Sequence, residues 1–413
     1  MKKLGIYIHI PFCVRKCPYC GFLSAPPESE EQTASYVDAL VKEIGIAAEA
    51  YGRDRLVDTV FIGGGTPSVL SHEQTARILD RLAGAFTLDE KPEITMEANP
   101  GTLTEVKLKA YVECGINRLS IGAQSFDDGL LESIGRIHRR EDVIAAYEDA
   151  RKAGFENINL DLMFGLGGQT MEKWEETLRE AVSLDPEHIS FYSLQIEENT
   201  PFYDLYKAGK LDTASDAMER EMHHKAIHTL QDAGFEHYEI SNSAKPGRQC
   251  RHNMKYWSMA EYAGLGLGAH SYIEDNGTSR LLTDDVNPDS PLMDTGEHAG
   301  GFTGGLRYNN TEDIAAYIGS IVKGELPIEQ RSLRRDTEKD AMGIYMFTGL
   351  RKREGVDLAD FEGRFGLPFE SAFDMDDRIR KWRDAGYTDK DNGCFRLTEK
   401  GIDRSNDIMS EFV

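Results

Sequence analysis

The chain has 413 residues, enough to bury a large core and to form two domains. Its formal net charge at pH 7 is −24, which argues against broad binding to a nucleic-acid backbone because such binding needs clustered lysine and arginine. Six cysteines in a chain of this length are too sparse for a disulfide framework, so the sequence predicts a reducing, cytoplasmic location. No apolar run reaches the length that crosses a bilayer.

Three cysteines follow the first predicted strand, at 4–10, whose alternating residues are typical of a strand rather than of a signal sequence. Cys13, Cys17 and Cys20 have the spacing C-x3-C-x2-C, so one loop can present all three thiolates to one metal centre. A [4Fe–4S] cluster normally takes four cysteine ligands. The next cysteine is Cys114, so a cluster on this loop would keep one iron open to a small molecule. A structural zinc site is the alternative, but it usually needs a second, closely spaced ligand pair, and none follows in range.

Strands and helices alternate through the first half of the chain. The six predicted strands are 4–10, 57–62, 93–97, 118–122, 158–164 and 188–196. Such alternation predicts parallel pairing with right-handed crossovers. We therefore expect an α/β fold with an open parallel (β/α)6-type barrel, whose site lies at the carboxyl ends of the strands.

Unusual residues concentrate at those predicted carboxyl ends. Besides the cysteines, they are Gly64, Gly65, Thr66, Glu97, Gln124 and Asp161. A glycine-rich turn between a strand and a helix is common by itself, because turns need glycine. Several such features in order, behind a three-cysteine loop, indicate a functional site rather than ordinary turns.

The remainder of the chain divides by composition. Segment 274–310 is rich in Gly, Asp, Asn, Pro and Ser, which predicts a loop or linker between a first domain at 1–273 and a second at 311–413. In the second domain, predicted helices are followed by a hairpin whose turn is Asp391-Asn392-Gly393. This order predicts a smaller, mainly helical and winged-helix-like C-terminal domain, and the acidic balance argues against DNA binding by it.

The cysteine loop, with Tyr19 just before its third cysteine, resembles the cluster loop of radical S-adenosylmethionine proteins. The lead-in Tyr7-Ile8-His9-Ile10-Pro11-Phe12 resembles one branch, which contains the oxygen-independent coproporphyrinogen III oxidases and a related heme chaperone family. The oxidases carry one more cysteine two residues after the third, and here that position is Phe22. The oxidases also have a segment before the cluster loop that this sequence lacks. Both differences favour the chaperone family.

The resemblance implies a radical S-adenosylmethionine barrel in which S-adenosylmethionine chelates the open iron. Its cofactor-binding positions match Tyr7 and Tyr19 beside the loop, the glycine motif Gly64, Gly65 and Thr66, the ribose-binding carboxylate Glu97, and Gln124, Arg136 and Asp161. Close approach of the backbone to a ligand needs glycine, and ribose hydroxyls need an acceptor, so these residue types suit those roles.

A second motif, at 250–257, has the pattern H-N-x-x-Y-W, which resembles a motif of the heme chaperones and supplies His252, Asn253, Tyr256 and Trp257. Histidine is a common axial ligand of heme iron, and aromatic rings can stack on a flat macrocycle. Arg251 and Lys255 could pair with heme propionates, and Cys250 is an alternative ligand. A histidine among aromatic residues is also typical of a packed, structural position.

The expected function is that of a heme chaperone, which binds heme, a [4Fe–4S] cluster and S-adenosylmethionine and transfers heme to acceptor proteins. The alternatives are a coproporphyrinogen III oxidase, a radical methyltransferase that opens heme, and a plain electron-transfer protein. The electron-transfer hypothesis has no use for Glu97 or the glycine motif. No nucleic-acid partner is expected. Enzymatic turnover, peripheral association with a membrane through acceptors, and a monomeric or dimeric state stay open.

Overall fold

The computed structural model describes residues 1–274, 304–374 and 377–413, and within these ranges twelve strands form one sheet. The strands are β1 Lys2–Ile10, β2 Arg55–Gly64, β3 Leu88–Ala98, β4 Arg118–Gln124, β5 Ile158–Phe164, β6 His188–Ser193, β7 Glu236–Glu239, β8 Asn242–Ala244, β9 Tyr262–Leu265, β10 His270–Glu274, β11 Gly305–Asn309 and β12 Arg334–Arg335. Their spatial order is β12-β11-β10-β9-β1-β2-β3-β4-β5-β6-β8-β7.

The first six strands lie side by side in chain order and pair in parallel. β9 adds in parallel on the other side of β1, whereas β8 and β7 extend the β6 edge in antiparallel pairs. The barrel of parallel strands is open, because its first and last strands, β1 and β6, do not pair with each other. On these sides β1 pairs with β9, and β6 pairs with β8. The prediction of an α/β fold with an open parallel barrel is confirmed.

Helices lie between the strands in the order of the chain. They are α1 Glu30–Tyr51, α2 His72–Ala85, α3 Glu105–Glu113, α4 Asp128–Ser133, α5 Arg140–Ala153, α6 Met171–Ser183, α7 Pro201–Lys207, α8 Asp216–Asp232 and α9 Arg251–Trp257. Side-chain caps fix several of their first turns: Ser71 and Gln74 form a capping box at the start of α2. Gly154, with a φ of 106°, ends α5 in the left-handed region.

The C-terminal part consists mainly of short helices: Glu338–Gly349, Leu358–Phe365, Asp377–Asp384, Glu399–Ile402 and Ser405–Met409, with a π-helical segment at Glu370–Asp374. A small antiparallel sheet joins β13 Val356–Asp357, β14 Thr388–Asp391 and β15 Cys394–Leu397. The turn between β14 and β15 is the predicted hairpin, in which Asn392 and Gly393 have φ values of 51° and 78°. Phe361, Phe365 and Phe395 are the centre of a second hydrophobic core.

The linker prediction at 274–310 differs from the structure at its end. Gly305–Asn309 is strand β11, which pairs with β10 and buries Leu306 and Tyr308 in the barrel core. The segment thus forms a strand despite its polar composition, because two side chains on one face of it are buried in the core. The helix Ile314–Lys323, predicted for the second domain, also packs Tyr317 and Ile321 into the barrel core. Residues 275–303 of the predicted linker lie outside the described residues.

Among the described residues, no helix combines the length and the apolar character that a membrane span requires.

Candidate functional site

The cysteine loop is attached to the glycine turn that follows β2. Gly65 N donates to the carbonyl oxygen of Ile10 at 2.8 Å, and Thr66 N donates to that of Phe12 at 2.7 Å. A Cβ on Gly65 would lie 2.5 Å from the Phe12 oxygen, so only glycine permits this approach. The two loops therefore form one unit at the carboxyl ends of β1 and β2.

Hydrogen-bond donors contact two of the three cysteine sulfurs of the loop. The Thr66 hydroxyl donates to Sγ of Cys13 at 3.4 Å, and Nη1 of Arg136 lies 3.9 Å from Sγ of Cys17. Asn99 connects the two donors, since its Nδ2 donates to Thr66 Oγ1 at 2.9 Å and its Oδ1 accepts from Arg136 Nη2 at 2.6 Å. Donors of this kind favour thiolates, the form in which cysteine binds iron.

Arg136, predicted as a cofactor contact, is therefore engaged with the protein itself. Its Nη2 also donates to the carbonyl oxygen of Gly122 at 2.7 Å, at the end of β4. The side chain fixes the position of the cysteine loop relative to β4. Asn99 was missed by sequence reasoning, although it follows the predicted strand that carries Glu97 and precedes a proline.

Glu97 lies at the end of β3 and faces the interior of the barrel. Its Oε2 accepts a hydrogen bond from Gly64 N at 3.1 Å. Burial, together with the nearby negative charge of Asp161, raises the pKa of the Glu97 carboxyl to about 8. A ligand that donates hydrogen bonds to this carboxyl would therefore stabilise its charged form, as the two hydroxyls of a ribose do.

Asp161, on β5, also lines the barrel cavity and is already hydrogen-bonded. Ser120 Oγ donates to its Oδ2 at 3.0 Å, and Asn159 Nδ2 donates to its Oδ1 at 2.8 Å. Burial raises the pKa of the Asp161 carboxyl, and these donors oppose the effect. Its charge acts on the neighbouring Glu97.

A cavity of about 170 Å³ lies inside the barrel below the cysteine loop. Its polar lining comes from strand positions two apart, chiefly Arg118, Ser120, Asn159, Asp161, Ser190 and Tyr192. Apart from Asp161, sequence reasoning missed these residues. Polar side chains at i and i+2 in otherwise apolar strands were the available signal, because alternate residues of a strand face the same side.

The remaining predicted barrel residues take distinct places. Tyr7 lines the cavity, and its hydroxyl shares a hydrogen bond with Nδ1 of His9 at 3.1 Å. Tyr19 instead packs its ring against Phe202, with centroids 6.3 Å apart, and supports the cysteine loop. Gln124 has a φ of 65°, in a region that non-glycine residues seldom occupy. Such local strain at the end of a barrel strand is typical of a functional position.

The H-N-x-x-Y-W motif forms helix α9. His252 is fully buried. Its Nδ1 shares a hydrogen bond with Thr59 Oγ1 at 2.9 Å, and its Nε2 shares one with the Tyr256 hydroxyl at 2.9 Å. Burial, with the positive charges of Lys255 and Arg118, lowers the pKa of His252 to about 3. Both ring nitrogens are therefore occupied in a neutral imidazole.

The other motif residues serve the barrel as well. Asn253 and Tyr256 line the barrel cavity from below. Lys255 is buried in an ion pair with Asp58, whose Oδ1 lies 2.6 Å from Nζ. Trp257 packs under the guanidinium of Arg351, 4.4 Å from its ring centroid.

The two flanking groups also have protein partners. Arg251 donates from Nη1 to the carbonyl oxygen of Lys91 at 3.1 Å. Cys250 is buried, and burial raises the pKa of its thiol to about 12, so it is a poor source of thiolate.

Comparisons with known proteins show the family to which the chain belongs. The family model of the radical SAM superfamily matches residues 7–181, and the model of the HemN C-terminal domain matches residues 336–404. The chain is 36% identical to the heme chaperone HemW of Bacillus subtilis over 412 residues, which covers 98% of each chain. It is 41% identical to the heme chaperone HemW of Haemophilus influenzae over 416 residues, which covers 100% of this chain and 98% of the relative. The chain belongs to the HemW family.

A solved structure shows the same fold as this HemW family member. The coproporphyrinogen III oxidase HemN of Escherichia coli, described as a radical SAM enzyme, superposes with a TM-score of 0.79. The match covers 100% of this chain and 90% of that one, at 22% sequence identity. The barrel and the C-terminal unit thus follow one architecture. Phe22, two residues after the third cysteine of the loop, is 68% exposed.

Proposed function

We propose that this protein is a heme chaperone that holds a [4Fe–4S] cluster and S-adenosylmethionine at the mouth of its barrel and passes heme to acceptor proteins. The observation that carries the proposal is near-full-length similarity to heme chaperones of the HemW family. The site geometry supports it, because the three-cysteine loop and the glycine turn meet at the carboxyl ends of the strands, and a polar cavity lies inside the same barrel.

The residues present fit a cluster on the cysteine loop. Cys13, Cys17 and Cys20 would each bind one iron, and the fourth iron would stay open to the cofactor. Thr66 and Arg136 would stabilise the charged sulfurs through the contacts described above. When bound, the cluster would supply an electron to S-adenosylmethionine, a chemistry that belongs to the cofactors and not to the protein.

The glycine turn and Glu97 fit S-adenosylmethionine. Gly63 and Gly64 keep the backbone close to Glu97 and His9: a Cβ on Gly63 would lie 2.9 Å from Glu97 Oε2, and one on Gly64 would lie 2.4 Å from the His9 ring. Glu97 would accept hydrogen bonds from the ribose hydroxyls, in addition to the one that it accepts from Gly64 N. Gln124 and Tyr7 would complete the wall of this cofactor site.

Two observations weigh against an oxidase that acts on a tetrapyrrole inside the barrel. The cavity of about 170 Å³ is below the roughly 300–1,000 Å³ of pockets that enclose small organic ligands. In addition, Phe22 stands where the oxidases have a further cysteine. A porphyrin-sized molecule therefore fits this chain on its surface rather than within the barrel.

His252 does not fit an exchangeable heme ligand in this conformation. An iron at either ring nitrogen would have to displace Thr59 or Tyr256, and no part of the side chain is exposed. The ligand role of His252 stays a prediction that these contacts do not support. Its contacts instead hold Tyr256 against the barrel cavity.

One paired assay tests the function. The full chain is reconstituted anaerobically with iron and sulfide, and heme binding is followed by visible spectra while a heme-free globin serves as acceptor. The same sample is incubated with coproporphyrinogen III, S-adenosylmethionine and a reductant. We expect heme to bind and to pass to the globin, with no decarboxylated product. Decarboxylation without heme binding would establish the oxidase instead.

Several partner assignments belong to the same proposal. The acceptors would be heme proteins, which this chain reaches directly or at a membrane surface where the acceptor resides. A cytoplasmic location stays a prediction from the six unpaired cysteines. A monomer or a dimer is compatible with the proposed transfer.

A further inference from the structure

A buried carboxylate that the proposed cofactor site does not use lies on α1, the helix that follows the cysteine loop. Glu43 is only 1% exposed. Its Oε2 accepts hydrogen bonds from Gly266 N at 2.7 Å and from the Tyr317 hydroxyl at 2.6 Å. Its Oε1 accepts one from Nδ2 of Asn310 at 2.7 Å. Among the described residues no cation forms an ion pair with Glu43, so these three donors alone offset the cost of burying it.

The donors bring three separate segments of the chain together around Glu43. Gly266 lies in the turn between β9 and β10, whereas Asn310 follows β11 and also donates to the Gly266 carbonyl oxygen at 2.8 Å. The turn passes close to the end of β1: a Cβ on Gly266 would lie 2.5 Å from the Tyr36 hydroxyl and 2.6 Å from the His9 carbonyl oxygen. Glu43 therefore fixes the backbone that lies against the last residues of β1.

Two stacked tyrosines continue this contact to the cysteine loop. The Tyr36 hydroxyl donates to the carbonyl oxygen of His9 at 2.7 Å. Its ring stacks on that of Tyr317, with centroids 5.3 Å apart, and meets the Phe12 ring edge to face at 5.4 Å. Phe12 directly precedes Cys13, the first cysteine of the loop. The donors of Glu43 and the start of the cysteine loop thus belong to one packed network.

Glu43 is also the group of this network that changes charge near neutral pH. Burial raises the pKa of its carboxyl to about 7, and the three donors oppose the effect. Arg55 is paired with Glu261 at 2.6 Å. On β1 and β10, burial lowers the pKa of His9 and His270. Burial raises the pKa of all the phenols around Glu43 far above neutral, so they stay uncharged: Tyr36, Tyr51, Tyr308 and Tyr317.

We propose that Glu43 is a positioning residue of the cluster site, which acts on the cysteine loop through Tyr36 and Tyr317 and favours reduction of the cluster when it takes up a proton. This inference rests on the proposed cluster. One electron from an external reductant is added at the cysteine loop, and one proton from water is added to a carboxylate oxygen of Glu43. The proton removes a negative charge from the buried network behind the loop, which favours the more negative, reduced state. The coupling is reciprocal, so reduction in turn strengthens proton binding by Glu43.

Redox titrations of the reconstituted full chain with a one-electron chemical reductant, at several pH values between 5.5 and 8.5, test the inference. In the wild type the midpoint potential should become more negative as the pH rises through about 7. Glu43→Gln cannot ionise and should lose this change while it retains iron and sulfide. Glu49→Gln alters an exposed carboxylate of the same helix and is the matched control, with the wild-type pH dependence expected.

A second variant changes the proton affinity of Glu43 and leaves the carboxylate in place. Tyr317→Phe keeps the ring that stacks on Tyr36 but removes a donor to the charged form of Glu43. The pH at which the potential changes should therefore move upward by about one unit, because a hydrogen bond to a charged group is lost. This variant decides the matter even where Glu43→Gln does not retain its cluster.

Several outcomes would overturn the inference. One is a wild-type potential that does not depend on pH, and another is the wild-type dependence in Glu43→Gln. An unchanged transition in Tyr317→Phe, with iron and sulfide lost from Glu43→Gln, would make Glu43 a purely structural residue. All three leave the cluster assignment intact. If the wild-type chain binds no iron and sulfide, the cluster of the proposed function fails together with this inference.

Discussion

The hydroxyl of Thr66 donates a hydrogen bond to the sulfur of Cys13 across 3.4 Å, so the turn after β2 touches the cysteine loop after β1 directly. Residues separated by the whole of α1 thus share one site. The same turn reaches Glu97 through Gly64, and the three adjacent strands present thiolate, hydroxyl and carboxylate in one row. This row is where we expect the cluster and its cofactor to meet.

Thr66→Val should make the reduction potential of the cluster more negative while the cluster itself is retained. A hydrogen bond to a cluster sulfur stabilises the reduced, more negative state, and valine has nearly the same shape without the donor. A spectroscopic redox titration of the reconstituted protein measures the effect. Thr102→Val, at a hydroxyl that bonds Ser68 rather than a cysteine, is the control. An unchanged potential in Thr66→Val would show that this bond does not reach the cluster.

Cys17→Ala should lose most of the iron and sulfide after anaerobic reconstitution. With only two thiolates on the loop, the cluster would lack one of its three protein ligands. Cys114→Ala, at the end of α3 and away from the loop, should keep the wild-type content. Iron and sulfide analysis with the absorbance near the cluster band measures both variants. Equal metal content in the two would show that the loop does not hold a cluster.

At a pH above about 8, where the carboxyl is ionised, Glu97→Ala should weaken S-adenosylmethionine binding by about 1.5–3 kcal/mol, because the ribose hydroxyls lose a charged acceptor. Calorimetric titration of the reconstituted protein gives the affinity. Glu113→Ala, which removes an exposed carboxylate at the end of α3, is the control and should bind as the wild type does. An affinity in Glu97→Ala equal to that of the control contradicts the proposed cofactor pose.

The raised pKa of Glu97 predicts how the stability of the cofactor-free protein depends on pH. The folded carboxyl titrates near pH 8, whereas an unfolded glutamate titrates near ~4.3. The folded state therefore binds the extra proton between these values, so this contribution to stability is complete at low pH and is lost as the pH rises through about 8. Glu97→Gln cannot ionise, and its melting temperature relative to wild type should rise between pH 6 and pH 9. A difference independent of pH would mean that Glu97 is charged throughout.

Much of the barrel could be predicted from the sequence because its signals are local. The strand–helix alternation, the capping box at Ser71 and the hairpin at Asn392-Gly393 depend on residues that are neighbours in the chain. The candidate cluster loop has the same property, since its three cysteines lie within eight consecutive residues of the sequence. For these features, spacing alone carries the structural information.

What the sequence could not show depends on contacts between distant residues. His252 is a buried structural residue only because Thr59, nearly two hundred positions earlier, reaches its ring. Glu93 on β3 accepts hydrogen bonds from the first backbone N–H groups of α9, at Arg251 and His252, and so turns an irregular-looking motif into a helix. Strand β11 likewise forms because β10 is beside it. The spacing of residues along the sequence identifies none of these partners.

His252→Ala should destabilise the fold without changing the heme spectrum. The substitution leaves a cavity and removes a hydrogen-bond partner from both Thr59 and Tyr256, which together cost about 2–4 kcal/mol of unfolding free energy. His252→Gln keeps part of the polar contact and should lose less. Denaturant unfolding measures both variants against wild type. Normal stability in His252→Ala, with a lost Soret shift on heme addition, would restore His252 as the iron ligand.

The same histidine predicts an acid-sensitive fold. Its pKa of about 3 in the folded state is below the ~6.5 of an unfolded histidine, so the unfolded chain binds the extra proton between these values. Stability from this group is complete above about pH 6.5 and falls as the pH drops toward 3. His252→Gln cannot take up that proton, so its stability should fall less steeply than that of wild type between pH 7 and pH 4.5. Equal slopes for wild type and His252→Gln would mean that α9 already opens in the folded protein, and that Thr59 and Tyr256 do not hold the ring.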